Sequence, residues 1–217
     1  MSVPAQPCGP RRIAAVRSPL RAGWRGLTGA ALVCLGLLAA TGSAFGFETV
    51  LSNTANAKSC QADARLAADH YRIAKDAVET CTAALDRDHL SVHDLAATYV
   101  NRGIVLLCQH KYEPAERDFD QAIEIAPDLA GAHMNRGAVL IAEHHYQDAI
   151  AALDRSIALG TPEPERAFFD RALARERIDD FTGAYYDLLK ASQLKPDWDE
   201  PVKELTFFKV TRKESAN

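Results

Sequence analysis

The tripeptide Asn-Arg-Gly occurs at residues 101–103 and again at 135–137, 34 residues later. An internal period of this size constrains the fold more than any local motif, because it marks an array of like supersecondary units that must stack to bury their apolar faces. The pairing continues downstream through Tyr112 and Tyr146, Ala115 and Ala149, Phe119 and Leu153, Ala122 and Ser156, and Pro127 and Thr161. A third copy follows at an offset of 35, with Asp170, Arg171 and Ala172 in place of the tripeptide, then Phe181, Ala184, Leu188, Ala191 and Pro196. Its extra residue falls in the loop-like "GTPEPE". Apolar residues inside each copy recur at three- and four-residue spacing, the period of an amphipathic helix. The stretches "QHKYEP", "EHHYQD" and "RIDDFT" break that period as short turns, and Pro127 and Pro196 end helices. A glycine inside a helix costs about 1 kcal/mol relative to alanine. Gly103 and Gly137 therefore point to close helix packing, where a side chain does not fit.

Small residues at positions 8, 20 and 27, an aromatic near 17, a large apolar residue at 24 and proline at 32 resemble the tetratricopeptide repeat (TPR) family. Counted from Ala96, Ala130 and Glu165, position 8 is Gly103, Gly137 and Ala172, position 17 is Tyr112, Tyr146 and Phe181, and position 24 is Phe119, Leu153 and Leu188. The resemblance covers residues 96–198. It implies an all-α fold: a solenoid of antiparallel helix pairs, with three clear repeats. A divergent pair precedes them over residues 58–95, where Ala77, Cys81 and Ala84 fit positions 20, 24 and 27 and the connector is about four residues longer. Its first helix is expected over about 61–71. Residues 199–217 read as a capping helix and tail, with Val202, Leu205, Phe208 and Phe207 facing the last repeat and fraying after Val210. Arrays of this kind need a terminal cap.

The first 46 residues hold five arginines and no acidic residue, and they lead into the uncharged apolar run at 27–40. That is the composition of a secretory signal peptide, with cleavage expected after Ala44 or Gly46 and a linker to residue 57. The competing reading is an uncleaved anchor, since residues 27–47 carry no charge over a length that spans a bilayer. Arg11 and Arg12 are a poor match to a twin-arginine signal, and Cys34 follows Val33 rather than the small residue a lipidated cysteine wants. The expected location is the periplasm of a Gram-negative bacterium, or the exterior. Without the leader, Lys+Arg falls from 25 to 20 against 29 acidic residues. An acidic chain is a poor ligand for nucleic acid, where phosphate neutralisation supplies much of the affinity.

No phosphate-binding glycine loop, GxSxG elbow or HExxH helix is present, so no enzyme, cofactor or metal site is expected. His89 and His93 lie at i, i+4 spacing without a third ligand in view, and His144 and His145 diverge in a turn; both pairs read as solvated or capping. Cys60 and Cys81 occupy positions 3 and 24 of the divergent repeat on facing sides of two helices. In an exported chain they are expected to form a disulfide, leaving Cys108 over.

In the family that the sequence resembles, the first helix of each pair lines a concave surface through positions 2, 5, 6, 9, 12 and 13. Position 6 is Asn101, Asn135 and Asp170. An amide on successive repeats offers a donor and an acceptor to an extended peptide backbone, as a similar asparagine ladder does in a TPR-bearing protein glycosyltransferase. The bland alternative is that these side chains fix repeat stacking. Other expected groove residues are Val100, Ile104 and Leu107, then Met134, Ala138 and Ile141, then Phe169, Leu173, Glu176 and Arg177. The family's carboxylate clamp is matched only by Asn135, since its lysines are absent. Arg102, Arg136 and Arg171, at position 7, are expected to pair with acidic residues of an adjoining repeat. These features imply a non-catalytic adaptor that binds a peptide segment of a partner protein; the other reading is a self-associating or anchored structural component of an envelope assembly.

Overall fold

The computed structural model describes residues 13–17, 50, 54–70 and 73–212. The expected cleavage sites, the apolar run and Cys34 lie outside them. Among the described residues the chain folds as helices α1 (Ala55–His70), α2 (Ala77–Arg87), α3 (Val92–Cys108), α4 (Tyr112–Ile125), α5 (Ala130–Ala142), α6 (Tyr146–Ala158), α7 (Pro164–Arg177), α8 (Phe181–Leu194) and α9 (Asp199–Leu205), with two short strands, β1 (Ile13–Arg17) and β2 (Phe208–Arg212). Consecutive helices form antiparallel pairs, α1 with α2, α3 with α4, α5 with α6 and α7 with α8. The odd-numbered helices pack on one another along the array, forming a front layer backed by the even-numbered helices. The expected all-α solenoid is therefore the observed architecture.

The packing glycines behave as the repeat demands. A Cβ on Gly103 would lie 2.5 Å from Phe119 Cε1, and one on Gly137 would lie 2.7 Å from Leu153 Cγ. In the third repeat Ala172 and Leu188 are buried together with Ala184. Helix-to-helix turns within these three pairs share one geometry. His110, His144 and Asp179 adopt left-handed backbone conformations with φ of 59°, 67° and 61°. The following amide closes back onto the helix at Lys111 N to Leu106 O, His145 N to Leu140 O and Asp180 N to Arg175 O. This is the Schellman closure that usually takes glycine, since a left-handed non-glycine residue costs about 1–2 kcal/mol.

Helix α1 starts six residues earlier than its apolar pattern suggests. Asp88, beyond the end of α2, accepts from Ala57 N at 3.2 Å and Asn56 Nδ2 at 3.0 Å, so a carboxylate from the opposite helix satisfies the first turn of α1. The Cys60–Cys81 disulfide joins α1 to α2 across a Cα separation of 4.7 Å. Cys108 takes no part in it.

The C-terminal cap differs from expectation. The last helix ends at Leu205, and the β-branched and aromatic run that follows forms β2, antiparallel to β1 in the register Ile13↔Arg212 to Arg17↔Phe208. Phe208 and Leu205 do pack on the last repeat, but Phe208 does so from a strand, and Val202 is 48% exposed. Fraying after Val210 is likewise corrected as far as Arg212, where ladder bonds hold the backbone. Ala15 of β1 is buried, and its amide donates to Thr182 Oγ1 of α8 at 3.4 Å. Part of the segment assigned to a leader thus covers the end of the stack.

Candidate peptide-binding groove

The front layer brings the expected groove residues onto one face, in the order of the repeats. Val100, Asn101, Ile104 and Leu107 come from α3, and Met134, Asn135, Ala138 and Ile141 from α5. Each of these is no more than 5% exposed. Phe169, Asp170, Leu173 and Arg177 come from α7; the first three are half-buried and Arg177 is exposed, whereas Glu176 is buried. An open trough along all three repeats was the expectation. The first two are closed to solvent and only the third retains accessible surface.

The ladder at position 6 is uncharged in two repeats and acidic in the third. Burial pushes the Asp170 carboxyl up to about 6, with the Arg166 guanidinium pulling weakly in the opposite direction. Around it, sequence reading missed an aromatic cluster. The Phe169 ring lies 4.8 Å from that of Trp198, which is itself buried, and the Arg166 guanidinium sits 5.5 Å above the indole. Trp198 follows the proline at position 32, where the repeats give way to the stretch read as the capping helix, so only its conspicuous size among acidic residues could have flagged it. Met134 is also tied down: Thr161 Oγ1 donates to its sulfur at 3.8 Å.

Position 7 explains the other half of the repeated word. Arg102 makes a two-pronged pair with Asp118, Nε to Oδ2 and Nη2 to Oδ1 both at 2.8 Å, and Arg171 does the same with Asp187 at 2.9 and 2.6 Å. Both acceptors stand at position 23 of the same repeat. In the second repeat that position is Ala152, so Arg136 instead reaches back to Asp120 at 2.6 Å and Glu116 at 3.4 Å in the preceding repeat. Arg171 makes the equivalent backward contact to Asp154 at 2.5 Å, and Arg102 reaches Thr82 at 3.1 Å. The expectation of pairing with an adjoining repeat was thus half of the pattern: position 7 joins its own second helix to that of the repeat before. Planar guanidinium forks suit this double duty. These arginines belong to the stack and not to the groove.

The histidines have local work. His110 and His144 meet the hydroxyls of Tyr112 and Tyr146 at 3.1 and 2.7 Å, and His133 meets the carbonyl of Pro127 at 3.0 Å. Among the described residues no three His, Cys, Asp or Glu side chains are placed to hold a metal ion. Nor is any described helix long and apolar enough to cross a membrane.

No protein-family model matches the sequence, and no curated protein matches it significantly. Solved structures do. MamA residues 41-end from Desulfovibrio magneticus RS-1 superposes with a TM-score of 0.56 at 20% identity, covering 72% of this chain and 85% of that one. The Arabidopsis OM64 TPR domain gives 0.52 at 17% identity, over 54% and 95%. The second TPR domain of human RPAP3, solved in complex with an HSP70 peptide, gives 0.50 at 24% identity, over 54% and 96%. The repeat period, the packing glycines and these likenesses agree: the chain has the fold of a tetratricopeptide-repeat solenoid.

Proposed function

We propose that this protein is a non-catalytic adaptor of the cell envelope that holds a segment of a partner protein along the front faces of α3, α5 and α7. The observation that carries this reading is the single row made by Asn101, Asn135 and Asp170, set among apolar side chains from three successive repeats. Such a row sets hydrogen-bonding side chains among apolar ones, the combination by which an extended segment is recognised. The likeness to a TPR domain solved with a bound peptide supports the same use of the surface. An N-terminal segment of signal composition supports the location. Val100, Ile104, Met134 and Ala138 are closed to solvent, so engaging them requires the front face of α3 and α5 to open after first contact. Near Phe169, Leu173 and Arg177 the surface is partly open, and this is where first contact is expected.

The test is a cross-linking pull-down from envelope fractions with the wild-type chain and with Asn101→Ala and Asn135→Ala, helicity being checked by circular dichroism. Loss of a specific cross-linked partner at unchanged helicity supports the adaptor. An unchanged partner set refutes it, and light scattering showing a dimer that buries the front face would establish the self-associating assembly in its place.

A further inference from the structure

The three clear repeats each close on a large apolar side chain at position 24: Phe119, Leu153 and Leu188 are no more than 1% exposed. In the pair α1–α2 that place is taken by Cys81. Among the described residues of α1 and α2, every buried side chain is alanine apart from Cys60 and Cys81. Larger apolar groups stand aside, with Leu66 42% exposed and Val78 and Leu85 half-buried. Burial stabilises in proportion to the apolar area removed from water, and alanine removes little. This pair therefore lacks the noncovalent anchor of the other three.

Its place in the array adds to the deficit. Among the described helices, α1 and α2 pack on each other and on α3, whereas the pairs α3–α4 and α5–α6 have a neighbouring pair on both sides. Burial, and after it the Asp76 carboxylate ahead of α2, raise the Asp63 carboxyl of α1 above its ordinary value, so carrying its charge at neutral pH opposes the pair. Against this stands the Cys60–Cys81 bond, which ties the helices across a sequence separation of 21. Closing a loop of that size favours the folded form on the order of a hundredfold, because the unfolded chain loses conformations.

We propose that α1–α2 is a redox-conditional unit: oxidation of Cys60 and Cys81 docks it on the array as a fourth helix pair, and with both as thiols the pair is unfolded while the three clear repeats stay folded. The closing step is thiol–disulfide exchange with an oxidant that is itself a disulfide. The thiolate of one cysteine attacks an oxidant sulfur and expels the other, and the second cysteine then displaces the sulfur still attached. The Cys60–Cys81 bond replaces the oxidant's bond, and the oxidant leaves as two thiols carrying the two electrons and two protons. Both protein sulfurs are buried once the pair has docked, so reduction has to wait for local opening. Undocking bares the flank of α3 where Ala97 is buried with Ala57 and Ala84, and it parts Arg102 Nη1 from Thr82 Oγ1, 3.1 Å away. The redox state thus sets the length of the array, whatever the front face binds.

The experiment compares the full-length chain oxidised with oxidised glutathione and the same chain refolded from urea in tris(2-carboxyethyl)phosphine. Hydrogen–deuterium exchange read by mass spectrometry is expected to be at least roughly a hundredfold faster in residues 55–70 and 77–87 of the reduced chain. Residues 112–194 should exchange equally in both states. The double variant Cys60→Ala with Cys81→Ala, free of reductant, should reproduce the reduced pattern. Equal protection of the pair in both redox states overturns the proposal, because the pair then stands on its own packing. Loss of protection throughout the array on reduction overturns it too, because the pair is then inseparable from the repeats. Neither outcome touches the adaptor, which is read from partner capture by the Asn101→Ala and Asn135→Ala chains.

Discussion

Replacing Gly103 with alanine tests the packing logic of the repeat. The added Cβ would lie 2.5 Å from Phe119 Cε1 and 2.8 Å from Cζ, inside any real carbon contact. Phe119 is fully buried, and its ring can only move as a rigid plate. Alanine returns about 1 kcal/mol of helix propensity, and overpacking costs about 1–3 kcal/mol. The net expectation is a loss of about 1 kcal/mol. Phe119→Leu alone removes ring contacts and leaves space over Gly103, a loss of about 1–2 kcal/mol. The two changes together recreate the Ala172–Leu188 pair that the third repeat buries successfully. The double variant is therefore expected to be about 1–2 kcal/mol more stable than the sum of the single losses. Urea unfolding followed by circular dichroism, at constant m, measures all four corners. Additivity within about 0.5 kcal/mol, or a stability gain in Gly103→Ala alone, would refute the reasoning.

Three further perturbations probe the rest of the stack. Asp170→Asn should stabilise the chain by about 2 kcal/mol at pH 7. The native carboxyl titrates near 6 and the unfolded one near its ordinary 3.8, so the native state binds more protons in between. Stability owed to the protonated acid is full below the unfolded value and is lost as pH rises through about 6. The gap between wild type and variant in thermal melts should hence close by pH 4; a gap independent of pH would contradict the burial. Replacing Cys60 and Cys81 with alanine should cost about 3 kcal/mol, since the bond closes a loop of 21 residues in the unfolded chain; melting under oxidising conditions checks it, and no shift would exclude a stabilising role. Asp179→Gly should raise stability by about 1 kcal/mol, because glycine meets no penalty at φ of 61°, and a lower denaturation midpoint would contradict this.

The repeat was legible because its determinants are local in sequence and periodic. Gly103 against Phe119 and Gly137 against Leu153 are encounters at 16 residues' distance, dictated by one helix–turn–helix unit and repeated by the next. The Cys60–Cys81 bond followed from the same numbering, once α1 and α2 were taken as a degenerate copy. The turns were visible as breaks in apolar period, although their left-handed residues are histidine and aspartate where glycine is usual. What was not legible depends on contacts without a period. β2 pairs with a segment about 195 residues away, and the pattern of residues 199–210 reads equally as a helix. The Asp88 cap of α1 also comes from a different helix, so the start of α1 could not be read from its own residues. For the groove, position along each helix was readable and exposure was not: helical phase places Val100, Asn101 and Ile104 together, but nothing in that phase tells whether their common face meets solvent. Arg136 illustrates a smaller failure of the same kind, because the loss of its own-repeat acceptor to Ala152 redirects it to Asp120.

Site-specific photo-cross-linking tests the central claim most directly. A benzoylphenylalanine replacing the half-buried Leu173 samples the front face where it is still open, and one replacing exposed Glu124 samples the back of α4. Irradiated in envelope fractions, Leu173 is predicted to capture one discrete partner segment, with Glu124 yielding none and Asn135→Ala abolishing the adduct. Equal capture from both faces, or from neither, would contradict a solenoid whose front layer is built to hold another chain.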